Sequence, residues 1–461
     1  MTGVVNRSPE RRSAALIAGI AVAVAMVLGG GGSPAPPQEL AAQIAVAALF
    51  CLWLILWPVV PRDRLRPTFA LCGLITVIPV IQLVPLPPTI WQVLPGRALE
   101  RQALDLIGAG HTWRPLSMSP ARTLGSLLAL VPPAIMLVLT GTLGQRGRNV
   151  VIGTVAGVAL LTILVGALQA AGGPASPFRL YVADTGHLNG FQANHNSAAD
   201  ILLIGMVAYA VVAREWIERA PARRAGAIGK MIVFAGVALF SLAVFLTASR
   251  AGTALLPVAW SAVLAVNRPS WLLSSQRLPW RGLVIAALLI AVSLSLALYL
   301  LRGNEVVAAV LRRYDFGAEL RPQIWTDSVQ AARTYFPVGA GMGAFIPAYL
   351  AAERIDVVGM TLPNRAHNDF VELFVEAGAP GFVVLAIIIA VLGRLGWRQF
   401  RNPWASIRRQ AYFAAATFTI IALHSQVDYP LRSISLACIA AASAGLLVPV
   451  ARGPRGTDVQ V

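Results

Sequence analysis

Long apolar runs separated by short polar stretches repeat along almost the whole chain. About 20 consecutive apolar residues cross a bilayer core as a helix, so the pattern predicts membrane spans. Twelve are expected, at about 14–30, 41–60, 68–84, 124–143, 149–171, 197–213, 230–248, 251–267, 282–301, 378–393, 410–424 and 433–450. The rhythm breaks once, between about Leu301 and Gly378, where polar residues bearing Arg and His take over. The predicted fold class is therefore an all-α integral membrane protein of about 12 transmembrane helices, with one large periplasmic loop between spans 9 and 10. Its expected units are spans 1–5 with their loops (residues 1–196), spans 6–9 (197–301), the loop with short helices (302–377), and spans 10–12 with a cytoplasmic tail (378–461). The first apolar run follows Arg7, Arg11 and Arg12 and is longer than a signal-peptide core, so it reads as a retained anchor helix.

Composition agrees with that picture: 57 % of the 461 residues are hydrophobic and 12 % charged. Cys51, Cys72 and Cys438 all fall inside apolar runs and read as buried small hydrophobes, so neither a disulfide framework nor a metal cluster is implied. The net charge of +17 is distributed by topology. With both termini cytoplasmic, basic residues gather in the inward loops, such as Arg62 to Arg66 and Arg394 to Arg409, while most acids fall outside. The high charge thus reflects anionic inner-leaflet lipid and gives no reason to expect a nucleic-acid partner.

The outer face is nearly neutral on this count, yet it retains Arg250, Arg302, Arg312, Arg313, Arg321, Arg333, Arg354 and Arg365 against the topological bias. Anion binding on that face is the expected reason. Ser249-Arg250-Ala251-Gly252 forms an almost loopless re-entry between two spans; its guanidinium either meets a lipid phosphate or snorkels to cap a helix end. Arg321 precedes Pro322, a favoured first helical residue, and the stretch to about Tyr335 reads as a short amphipathic helix lying along the membrane surface. A phosphate would be welcome at that helix start. Gly339, Gly341 and Gly343 form a flexible turn able to bring backbone N–H groups to an anion, with no strand before it to suggest a nucleotide fold.

His367 is the candidate catalytic residue. It stands at the predicted start of a helix running to about Ala377, with Asn368 or Asp369 as the cap, where a neutral ring can accept a proton. On that helix Asp369, Glu372 and Glu376 share one face, which reads as solvated, and His367 falls on the other. Asn194-His195-Asn196 and the stretch from His424 to Pro430 read from the residues alone as polar capping of helix ends. The histidines lack metal-ligand spacing, so no metal and no other cofactor is expected.

Taken together, these motifs resemble the O-antigen ligase and polymerase superfamily of bacterial envelope glycosyltransferases. The resemblance rests on Phe191 to Asn196, Ser249 to Gly252, Arg321 to Trp325, Gly339-Ala340-Gly341, Ala366-His367-Asn368-Asp369, Glu376-Ala377-Gly378, and His424-Ser425 with Asp428. It covers roughly residues 190–440. It implies glycan transfer without a metal at the periplasmic face of the inner membrane, from a polyprenyl-diphosphate-linked glycan to a glycan or lipid A-core acceptor. It places Arg250 and Arg321 on the donor diphosphate and His367 on the acceptor hydroxyl, with direct attack implying inversion at the anomeric carbon. Asn194, Asn196, Asn368, Asp369 and Gly341 are the further substrate-binding candidates within the matched motifs. Ligase and polymerase are equally compatible with these residues, and membrane lipids are the remaining expected partner.

The competing class is a transporter or flippase of lipid-linked glycan. Transporters keep charged residues near the bilayer midplane and are built from matching halves. Here the polar residues gather at the outer boundary and no matching halves are evident, which favours an enzyme.

Overall fold

The computed structural model describes residues 8–32, 37–56, 62–172, 176–181, 187–220, 227–267, 321–358 and 362–449. The expected ninth span and residues 302–320, with Arg302, Arg312 and Arg313, lie outside the described residues. The helices in chain order are α1 (Ser8–Leu28), α2 (Pro37–Leu56), α3 (Arg62–Leu83), α4 (Pro88–Trp91), α5 (Ala98–Leu106), α6 (Pro120–Ala129), α7 (Val131–Thr142), α8 (Gln145–Gly172) and α9 (His195–Arg219). There follow α10 (Ala227–Leu246), α11 (Arg250–Ala254), α12 (Leu256–Asn267), α13 (Arg321–Tyr335), α14 (Phe345–Leu350), α15 (Asp369–Phe400), α16 (Ala405–His424) and α17 (Ile434–Leu447). The other expected spans all fall on helices, and among the described residues seven segments are long and apolar enough to cross a membrane: α2, α3, α6 with α7, α8, α9, α10 and α15.

The described helices are not equivalent. The apolar stretch of α9 is 83 % buried, whereas those of α2 and α3 are 22 % buried and that of α15 is 28 %. Helix α9 is therefore a central post, with α8, α10, α12 and α16 packed around it, and α2, α3 and α15 turn most of their surface outward. Outward leucines and isoleucines such as Ile55 and Ile389 cost nothing in a hydrocarbon solvent. Close approach along the post uses small residues: a Cβ on Gly205 would meet the Ala159 methyl of α8 at 2.2 Å. Cys438 is buried as expected, but Cys51 is exposed on α2, because that helix borders the bundle on one side only.

One buried arginine closes the bundle's end remote from the site. Arg148, at the start of α8, donates to the carbonyls of Gly141 (3.1 Å) and Leu143 (3.1 Å) and to Leu446 of α17 (2.9 Å). The last carbonyls of a helix have no partner within it, so one guanidinium here caps α7 and α17 together. Arg64 adds a bond to the Thr142 carbonyl at 2.9 Å.

At the other end lies a polar layer made from two separate stretches. One was expected: α13, α14 and the chain leading into α15. Their small core joins Ala331, Ala332 and Tyr335 to Ala340, Phe345, Tyr349 and Val375. Helix α13 is amphipathic as predicted, but its apolar side is not left for a membrane surface to cover. Its apolar side packs on α14 and α15, and its outward face carries Gln323, Thr326, Gln330 and Arg333. The second stretch, residues 84–119, is unanticipated. It carries α4 and α5 between two short antiparallel strands, β1 (Pro85–Leu86) and β2 (Arg114–Pro115), with Pro85 opposite Pro115. It docks on the first stretch through Met118 N–H to Ala340 O (2.8 Å), and just beyond it Thr123 Oγ1 of α6 donates to Met342 O (2.8 Å).

Replacing Arg148 by alanine leaves helix-terminal carbonyls buried without donors. We expect a loss of roughly 2–4 kcal/mol, read as a lowered thermal transition of the purified protein in detergent; an unchanged transition would mean that water replaces the guanidinium.

Candidate active site

His367 and Asp428 meet where the polar layer rests on α9. The Nδ1 of His367 lies 3.3 Å from Oδ1 of Asp428, and the Tyr429 ring stands edge-on to the imidazole at 5.0 Å. The other carboxylate oxygen of Asp428 accepts from Asn196 Nδ2 (2.7 Å) and Asn194 Nδ2 (3.3 Å). Asn196 in turn accepts from Ser249 Oγ at 2.7 Å. One hydrogen-bonded chain therefore joins four motifs that are 53 to 234 residues apart.

Apart from Asp428, which lies on the turn after α16, these side chains are placed at or beside helix starts. Asn194 caps α9, its Oδ1 accepting from Asn196 N–H (2.8 Å). Ser249 caps α11 through Gly252 N–H (3.0 Å), which puts Arg250 at the first position of that helix. Asn368 caps α15, accepting from Phe370 and Val371 N–H. Asn, Ser and Asp are the side chains best suited to satisfy such orphan amides. His367 lies just outside the helix that the sequence had it begin, and takes a left-handed backbone (φ 49°). Among the described residues only Ala248 shares that conformation without being glycine, at φ 56°. Both stand immediately before a capping residue of the site. Such positions carry strain in a non-glycine residue and concentrate at functional sites.

Asp428 is only 3 % exposed. Burial pushes its carboxyl up, but the hydrogen bond with His367, the charges of His424 and His367 and the amide of Asn196 outweigh this and hold it below its ordinary value. A carboxylate at this position accepts a hydrogen bond from Nδ1–H, which in a neutral ring leaves the lone pair on Nε2, the tautomer that a base requires. The 3.3 Å separation is long, as is common before a substrate closes a site.

A second cluster fastens the start of α15 to the turn bearing Asp428. Arg432 lies 2.7 Å from Glu376, 3.1 Å from Glu372 and 3.9 Å from Asp369, and Arg365 pairs with Glu372 at 2.8 Å. Asp369 also accepts from Ser425 Oγ (2.9 Å), and Asn368 Nδ2 donates to Gln426 O (2.8 Å). The sequence places these acids correctly on one face, but that face is not solvated. Glu372 and Glu376 are fully buried because the guanidinium of Arg432 covers them. The three carboxylates in turn raise the pKa of Arg432 even against its own burial.

The glycine turn has a structural task. The amides of Gly339, Ala340 and Gly341 donate to Tyr335 O, Val375 O and Glu376 O. Gly341 (φ 113°) also passes so close to Ser117 that a Cβ would meet its hydroxyl at 2.2 Å. The first of these amides is spent on the end of α13 and the other two on α15 beside its break at Gly378 (φ 55°), so the expected anion cradle is not formed by them. Arg321 begins α13 as expected, and its charge acts on His424. His424 Nδ1 is 2.7 Å from Asp200 in a second, fully buried pair beneath the first.

The sequence reading missed Asp428 as a site residue, together with Arg432 and Tyr429. The signal was the polar run from His424 to Pro430, which helix capping explained locally.

Against known families this geometry has a counterpart. Residues 235–386 match the O-Antigen ligase family model. The match supports the O-antigen ligase and polymerase superfamily. It takes in Arg250, Arg321, Gly341 and His367 and leaves out Asn194, Asn196 and Asp428, which the fold supplies from either side. No curated protein matches the chain. The apolar helices and this match together point to a bacterial membrane protein with a role of the glycan-transfer kind.

Removing Arg432 leaves Glu376 without its cation and Glu372 with Arg365 alone, so Arg432→Ala should cost about 3–5 kcal/mol, seen as a lowered thermal transition. Asp428 gives a pH signature. Its folded value lies below the ordinary 3.8, so its contribution is complete above that pH and disappears as pH falls through the folded value. Unfolding free energy should therefore decline below about pH 3.8 more steeply in wild type than in Asp428→Asn.

Proposed function

We propose that the protein transfers or polymerises a polyprenyl-diphosphate-linked glycan at the periplasmic face of the bacterial inner membrane. The observation that carries this reading is the His367–Asp428 pair joined through Asn196 to the helix start that bears Arg250. His367 Nε2 takes the proton of the acceptor hydroxyl as that oxygen attacks the anomeric carbon, while Asp428 fixes the ring and balances the charge it gains. Arg250 and Arg321 receive the leaving diphosphate, whose charge grows as the glycosidic C–O bond breaks. Guanidinium forks suit phosphate oxygens and hold them without reorganising. Direct displacement inverts the anomeric centre. Asn368 and Asp369 serve this reaction by fixing His367 and the Asp428 turn, since their polar atoms bond to the cap and to Ser425 and Gln426.

The acceptor is lipid A-core for a ligase and a second lipid-linked glycan for a polymerase, and the same four residues serve either. Deleting the gene and inspecting surface glycans separates the two. Lipid-linked polymer left unattached to lipid A marks a ligase, and a single capped repeat marks a polymerase. In both cases His367→Ala and Asp428→Asn should fail to restore the wild-type profile, because a positioned base contributes about 10²–10⁴-fold. Full rescue by His367→Ala, at wild-type protein levels, would overturn the assignment.

A further inference from the structure

Residues 84–119 are built inside out for a segment surrounded by water. Arg97 is 3 % exposed, spending its guanidinium on Glu100 and on the Leu116 and Pro115 carbonyls, and Trp91 is fully buried. Meanwhile Val93, Leu99, Leu106, Ile107 and Trp113 stand exposed, Leu106 at 88 % and Ile107 at 75 %. On α5, Leu99, Ala103 and Leu106 follow at i, i+4 and i+7, an apolar stripe that faces away from the protein. Arg101 and Asp105 are exposed on the same helix, as on a helix that lies between water and lipid.

The height of the segment is fixed by its neighbours. Gly96 packs against Tyr335, where a Cβ would lie 2.2 Å from the ring. The next residue, Phe336, meets Phe374 of α15 at 6.1 Å, and Phe374 meets Phe382, past the break in that helix and in its apolar portion, at 6.1 Å. The segment therefore sits level with the break in α15. It also continues an apolar surface at both ends: it leaves α3 beside exposed Ile81 and Val84 and returns at α6 beside exposed Leu124 and Leu128.

We propose that residues 84–119 form an interfacial anchor seated in the headgroup–acyl boundary of the leaflet adjoining the His367–Asp428 site, with the phospholipid bilayer as its partner. The contact is transmitted to the site. Gln82, at the segment's root, donates to Glu376 O (2.9 Å) and accepts from Met342 N–H (2.8 Å), so the anchor sets the height of the start of α15 above the lipid. The inference does not depend on the reaction catalysed.

Spin labels test it. In a background with alanine at Cys51, Cys72 and Cys438, nitroxides are attached at Leu106→Cys and, separately, Ile107→Cys, in nanodiscs of phosphatidylcholine and phosphatidylglycerol. Ile389→Cys on the outward face of α15 serves as the lipid reference and Thr326→Cys on the polar face of α13 as the water reference. At both anchor positions, collisions with oxygen should exceed those with a water-soluble nickel chelate several-fold, as at Ile389→Cys. Ready access to the nickel chelate, as at Thr326→Cys, would overturn the proposal. So would shielding from both reagents, which would mean that protein, from this chain or a second copy, covers the stripe.

Discussion

A carboxylate taken out of water survives as an anion only where hydrogen-bond donors and positive charge replace its hydration. Asp428 meets that condition with donors on both oxygens, drawn from His367 on one side and from Asn194 and Asn196 on the other. Nearly everything at the site follows from this need. The two asparagines are available because they open α9, the most buried of the seven long apolar segments described and thus a rigid reference. Asn196 is itself fixed by Ser249, so the start of α11, and Arg250 with it, is referred to the same carboxylate. The starts of α9 and α15 both turn toward this point, and their partial positive ends favour the anion.

The strain that this arrangement imposes is balanced next door. Holding His367 with a left-handed backbone requires that the residues after it be unable to relax. Arg432 provides this by gathering Glu372 and Glu376, with Asp369 at the edge, so that the start of α15 cannot leave the turn that bears Asp428. A buried group of three acids and one or two arginines is poor economy for stability alone, since apolar side chains of equal volume commonly do better. Its value here is geometric, because it fixes the histidine and the aspartate with respect to each other. The break at Gly378 separates this locked portion from the lipid-facing remainder of α15, and the amides of the glycine turn satisfy the carbonyls around the break.

The spans were legible in the chain because hydropathy is a local property: the helices that cover them need no tertiary information to form in lipid. Arg250 and Arg321 stood out as candidates because cations against the topological bias are visible in any window, and His367 because of its place at a helix start. Asp428 was not, since its meaning lies in partners 61 and 232 residues away and a capping role explains it equally well in isolation. The acidic face of α15 was misread for the same reason: helical periodicity says which residues share a face but not what covers it. Periodicity also assigned a surface-seeking helix to 321–335, whose apolar side is taken by protein, while residues 84–119, with weaker patterning, expose theirs. The glycine turn was found as a place of close backbone approach, but what approaches is Ser117 and the carbonyls of α15.

The depth at which the ionisable groups stop bears on whether such a protein transforms a lipid-linked substrate or carries it across. Directly below Asp428, among the described residues, lies the pair of Asp200 with His424, in the second turn of α9 and at the last residue of α16. The backbone of His424 accepts the Asp428 amide at 2.9 Å, so this pair belongs to the same end of the bundle and is not a step on a path inward. Beneath it α9 continues as Ile201, Leu202, Leu203, Ile204, Met206 and Val207, all buried, and the next buried charge on that helix is Glu215 near the opposite end. Passage of a glycan needs polar groups that relay it through the middle. Among the described residues the stretch of α9 from Ile201 to Ala213 carries no charged side chain, a pattern that fits the proposed reaction at the membrane surface.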